Sequence, residues 1–110
     1  MDGAERKETW EDFRELVNMK PARLEEWLAT DASQSAGQHK DGAESTGHAS
    51  GRRIAEILRA KKGDLSDDDY QHMRKVTGYI RRHLAQRPSG EVEDTRWRYS
   101  LMNWGHDPLA

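Results

Sequence analysis

The chain has no cysteine, which excludes disulfides, thiolate metal ligands and cysteine nucleophiles. It also has no apolar run near membrane-spanning length, and its first residues, MDGAERKETW, carry no apolar leader core. The expectation is a soluble, intracellular chain that makes no membrane contact. Strand-type alternation and internal repeats are both missing. So are the tight ligand spacings of metal sites: five histidines are scattered without an H-E-x-x-H pair. No Gly-Lys-Ser/Thr phosphate loop and no serine in a nucleophile elbow occurs. An enzyme is not expected, nor a cofactor, nor a bound metal.

What is present is charge and helix periodicity. Apolar residues make up 34% of the 110 residues and charged residues 35%, which fits one small domain around a thin core. The net charge of −2 conceals an asymmetry. Residues 1–50 hold six Lys/Arg against eleven Asp/Glu, a balance of −5, and residues 51–110 hold twelve against nine, a balance of +3. An acidic front half thus precedes a basic back half, the polarity expected of a phosphate-binding surface or simply of solvated faces.

Periodicity predicts about five short to medium helices in a compact all-α bundle. Residues 1–8 read as a disordered tail, and the domain as 9–110. Thr9 caps a first helix with Trp10, Phe13, Leu16 and Val17 on one face, and Pro21 opens a second carrying Leu24, Trp27 and Leu28. Residues 31–50 contain no large apolar residue and read as one long polar loop. Ser50 then caps a third helix to about Lys62, stopped by Gly63, with Ile54, Ile57 and Leu58 inward. Ser66 and the acids Asp67, Asp68 and Asp69 start a fourth, to about Gln86 before Pro88. Its stripe is Tyr70, Met73, Val76, Thr77, Ile80 and Leu84. Thr95 caps the last, through Trp104, and Gly105 ends it.

Three constellations carry candidate chemistry. Around the expected third-helix start, His48, Ser50 and Gly51 precede Arg52 and Arg53. Free amide groups and the helix dipole make such a start an anion site, although arginines in a first turn are opposed by that dipole. On the fourth helix, Lys75 and Arg82 lie seven apart opposite the apolar stripe, with Arg74 and Arg81 along one edge. His72, Tyr79, His83 and Gln86 run along the other edge, so cations and aromatics form a ladder that could follow a phosphate backbone. On the last helix, Arg96, Arg98 and Tyr99 interleave with Trp97 and Trp104, as in stacking platforms. Each pattern has an ordinary structural counterpart: a capped helix, snorkelling cations, or tryptophans that form the core.

Several stretches together resemble a known family. They are Leu16-Val17-Asn18-Met19, the Leu24 to Trp27-Leu28 helix, Gly47-His48 with Ser50-Gly51-Arg52-Arg53, Asp68-Asp69 through His72-Met73-Arg74-Lys75-Val76, Arg82 to Pro88, and Thr95 to Pro108. They are similar to the small bacterial and fungal proteins grouped as domain of unknown function 3140. That resemblance implies no defined activity, but some members carry a DNA-binding label. It places the chain in the cytoplasm or nucleoid if bacterial, in the nucleus or cytoplasm if fungal.

The leading expectation is therefore a non-enzymatic module that binds DNA or RNA through phosphate contacts from Arg52, Arg53, Lys75, Arg81, Arg82, Arg96 and Arg98. The alternatives are a protein-interaction module that pairs with another protein or with itself, and a small-anion binder at Ser50–Arg53.

Overall fold

A computed structural model describes residues 1–36 and 45–110. Among them are six α-helices and no strand: α1 Gly3–Leu16, α2 Pro21–Leu28, α3 Asp31–Ala36, α4 Thr46–Arg59, α5 Asp67–Leu84 and α6 Arg96–Asn103. The sequence-based expectation of an all-α bundle holds. No helix among the described residues is long and apolar enough to cross a membrane.

Local chemistry sets most of the helix starts. Pro21 occupies the first turn of α2, where a missing N–H costs nothing. Ser66 and Asp69 close a full capping box at α5, each side chain accepting from the other's backbone amide. The Thr95 hydroxyl accepts from the Arg98 amide at 3.2 Å to start α6.

Three starts differ from the periodicity reading. Helix α1 begins at Gly3, not Thr9, with the Asp2 carboxylate accepting from the Glu5 amide at 2.8 Å. Its first turn has no apolar stripe, so periodicity could not find it. It is held by ionic contacts to α5: Arg6 reaches Asp67 at 2.5 Å and lies 4.8 Å over the Tyr70 ring. The expected loop over 31–50 is interrupted by α3, whose buried face is the small pair Ser33 and Ala36. Small residues let a helix approach closely without any large apolar signal. Residues 37–44 of that expected loop lie outside the described residues. The cap of α4 is Ser45, which accepts from the His48 amide at 3.1 Å. Ser50 is thus in the body of the helix, and Arg52 and Arg53 sit beyond its first turn. The conflict between arginines and the helix dipole disappears. At its other end α4 stops at Arg59, and Gly63 falls in a short 3-10 turn over Lys62–Asp64.

The packing is pairwise. α1 lies on α5, α2 on α4, and α6 runs through the middle, touching α2, α3, α4 and α5. Phe13, Leu24, Ile54, Met73, Val76, Ile80, Leu101 and Met102 form the centre of one continuous cluster. Where α4 crosses α6, a Cβ on Gly51 would stand 2.4 Å from the Asn103 carbonyl oxygen. Only glycine allows that approach.

A polar hub is buried beside this crossing. Asn103 is 1% exposed; its Oδ1 accepts from Trp27 Nε1 at 2.8 Å and from the Ser33 hydroxyl, and its Nδ2 donates to the Ser33 carbonyl at 3.0 Å. One side chain thereby ties α2, α3 and α6, and every polar atom it faces is satisfied. The segment after α6 folds back over the α1–α2 link. Asn18 and Asp107 exchange side-chain to backbone hydrogen bonds at 2.9 and 2.8 Å, and the Arg98 guanidinium makes a two-point contact with Asp107 at 3.1 Å.

Candidate nucleic-acid interface

Between α5 and α6 lies an open groove of about 800 Å³. Helix α5 lines it with Lys75, Tyr79, Arg82 and His83, and Gln86 follows just past its end. Helix α6 supplies Arg96, Trp97, Ser100 and Asn103, with Trp104 at its C-cap, and the rim is completed by Pro88, Ala36, Thr46 and Gly47. Three of these lining residues are cations and none is a carboxylate.

The spacing of α5 explains its side. At 100° per residue Lys75, Tyr79, Arg82 and His83 fall within about 100° of one another, so they share a flank of the helix. Lys75, Arg82 and Arg96 are exposed, and none of them makes an ion pair among the described residues. The Arg96 Nε–H donates to the Ala36 carbonyl at 3.2 Å, which ties the guanidinium to the groove rim.

The wall beneath the cations is a column of five rings. His72, Trp104, Tyr79, His83 and Trp97 stack in that order, with centroids 6.4, 4.2, 5.1 and 6.3 Å apart and planes within 13–17° of parallel. The Arg87 guanidinium covers the Trp97 end at 5.4 Å. Each of the three inner rings thus has two stacked ring neighbours. Polar anchors fix the column: the Tyr79 hydroxyl shares a hydrogen bond with Ser100 at 3.1 Å, and Trp97 Nε1 donates to the His83 carbonyl at 2.7 Å.

The two histidines register this environment. Burial pushes the His72 ring down to about 4, helped by the nearby charges of Arg53 and Lys75 and opposed by its contact with Ser50. Burial likewise lowers His83, whose enclosed Nε2 has no hydrogen-bond partner among the described residues. Both shifts favour the neutral imidazole.

Of the seven cations expected to contact nucleic acid, the fold brings Lys75, Arg82 and Arg96 together. The other four do not line the groove. Arg53 pairs with Asp69 at 3.4 Å, Arg81 with Asp12 at 3.5 Å, and Arg98 with Asp107; Arg52 is exposed on α4. The expected anion-site residues serve packing: His48 Nε2 donates to the Leu28 carbonyl at 2.7 Å, Ser50 meets His72 Nε2 at 3.0 Å, and Gly51 is the α4–α6 contact. The ladder of His72, Tyr79 and His83 on α5 was legible as a spacing. Its continuation through Trp104 and Trp97 was not, because those rings come from another helix. Asn103 and Ser100 gave no signal at all. Among the described residues, no group of three or more His, Asp or Glu is placed to hold a metal ion.

Fold and groove together define a small helical protein with a cationic, aromatic-walled cleft between its last two helices. Residues 12–102 match the family model described as protein of unknown function DUF3140. The chain belongs to that family. No curated protein and no solved structure matches it.

Proposed function

We propose that the protein is a non-enzymatic nucleic-acid-binding module whose phosphate contacts are made in the α5–α6 groove by Lys75, Arg82 and Arg96. The observation that carries this reading is the convergence of three cations on a concave surface where, among the described residues, none of them is ion-paired and no carboxylate is in the lining. A cation without an internal partner retains its full attraction for an external anion. Phosphate binding also releases the counterions condensed on the nucleic acid, which makes the affinity salt-dependent.

The test is a titration of DNA and RNA at about 50 mM and about 200 mM salt. Three phosphate contacts on a single strand predict a slope of log K against log salt of about −2, from about 0.7 per contact. Replacing Lys75 or Arg82 by alanine removes about one contact's worth of that slope. No binding at low salt, or affinity indifferent to salt and to both substitutions, overturns the reading.

A further inference from the structure

We infer that the groove takes a single-stranded segment and that double-stranded nucleic acid is turned away, a refinement that rests on the nucleic-acid reading above. The argument is an electrostatic asymmetry across α5. On the groove flank, Lys75 and Arg82 line the cleft together with Arg96, and among the described residues no acid is in the lining. On the opposite flank, Arg74 and Arg81 are already neutralised by α1, at 3.7 Å from Glu5 and 3.5 Å from Asp12. Glu8 and Glu15 lie on the same side of α1 as Glu5 and Asp12, at 100° per residue. Both are exposed, and neither is ion-paired among the described residues.

A helix that enters the major groove of a duplex has phosphates of both strands along its two flanks. For α5 one of those strands would run against the acidic side of α1, where like charges repel. A single strand needs only one flank.

The geometry also limits length and base preference. From Lys75 to the end of α5 at Leu84 the helix advances about 14 Å. At about 3.4 Å per nucleotide of stacked strand this accommodates no more than about five nucleotides, and fewer when the strand is extended. The inner rings already stack on two neighbours each, and Trp97 and Trp104 are buried, which leaves little ring face for bases. Recognition falls on phosphate, with little discrimination among bases.

The test compares a labelled strand of about twelve nucleotides, within the site sizes usual for single-strand binders, with the duplex it forms with its complement, using the full chain at low salt. The strand is expected to bind at least about tenfold more tightly, and Lys75→Ala and Arg82→Ala each weaken it about tenfold. Among strands shortened stepwise, affinity stops rising beyond about five nucleotides. Glu8→Lys with Glu15→Lys, both at exposed positions, raises duplex affinity and leaves strand affinity within about twofold. Duplex binding as tight as strand binding and equally sensitive to Lys75→Ala overturns the inference and leaves the nucleic-acid reading standing. Strand preference that is unmoved by the Glu8/Glu15 reversal overturns the exclusion by α1. Binding of neither form removes both readings.

Discussion

The two flanks of α5 carry the same kinds of residue and have different electrostatic roles. Arg74 and Lys75 are neighbours in sequence, as are Arg81 and Arg82, and each pair diverges by 100° around the helix. Arg74 and Arg81 fall on the side packed by α1 and meet Glu5 and Asp12. Lys75 and Arg82 fall on the side packed by α6, where the facing charge is Arg96. Charge count along a helix therefore says little about binding. Which helix packs on each flank determines whether a cation is spent internally or left for a partner.

Four experiments test that contrast. The largest effect is expected from Asn103→Ala, which strips the hub holding α6 in place and leaves Trp27 Nε1, the Ser33 hydroxyl and the Ser33 carbonyl unpaired. At about 1–3 kcal/mol per buried unsatisfied group, partly relieved by relaxation, the loss in urea unfolding is about 3–5 kcal/mol. The groove wall should loosen with it, seen as altered tryptophan fluorescence before global unfolding.

Next is reversal of the groove flank. Lys75→Glu with Arg82→Glu is expected to weaken nucleic-acid binding about a hundredfold at low salt, while the unfolding midpoint barely moves because both side chains are exposed. Retained binding would show that the groove is not the contact surface.

A smaller effect comes through pH. His72 is held at about 4 in the folded chain against about 6.5 when unfolded. Below pH 6.5 the unfolded state takes up the proton and the folded state does not, so the stability His72 contributes is complete above that pH and is lost as pH falls towards 4. With screening of this half-exposed ring, the loss is about 1–2 kcal/mol. His83 is shifted in the same direction by burial and adds to it. Urea unfolding at stepped pH, compared between the native chain and His72→Gln, checks this through a reduced pH slope in the variant.

The smallest effect is on the α1 flank. Arg74→Ala breaks an exposed pair with Glu5 and is expected to change stability by less than about 0.5 kcal/mol. Nucleic-acid affinity should change by less than about twofold, since that charge is already neutralised. An effect as large as that of Lys75→Ala would erase the distinction between the flanks.

The fold was largely readable because apolar spacing and caps are local. Phe13, Leu24 with Trp27 and Leu28, the Tyr70 to Ile80 stripe, and the Ser66 and Thr95 caps all stand where the pattern places them. The reading failed where a helix is held by charge or by small residues. The first turn of α1 depends on Arg6 reaching Asp67 across sixty-one positions, and α3 depends on Ser33 reaching Asn103 across seventy. Neither leaves a periodic trace. Displacing the α4 cap from Ser50 to Ser45 had a functional cost to the reading, since an apparent anion site became a packing contact.

The candidate site divides in the same way. Sequence alone determined that α5 is amphipathic, that Lys75 and Arg82 point away from its core stripe, and that His72, Tyr79 and His83 share an edge, because a 3.6-residue repeat fixes relative directions within one helix. Only the tertiary structure decided that Arg96 stands opposite them, that Trp104 and Trp97 complete the ring column, and that Arg53, Arg81 and Arg98 are neutralised by Asp69, Asp12 and Asp107. Coulombic and ring contacts act over a few ångströms of space, whatever the number of residues between the partners, so their pairing becomes known only when the helices are packed.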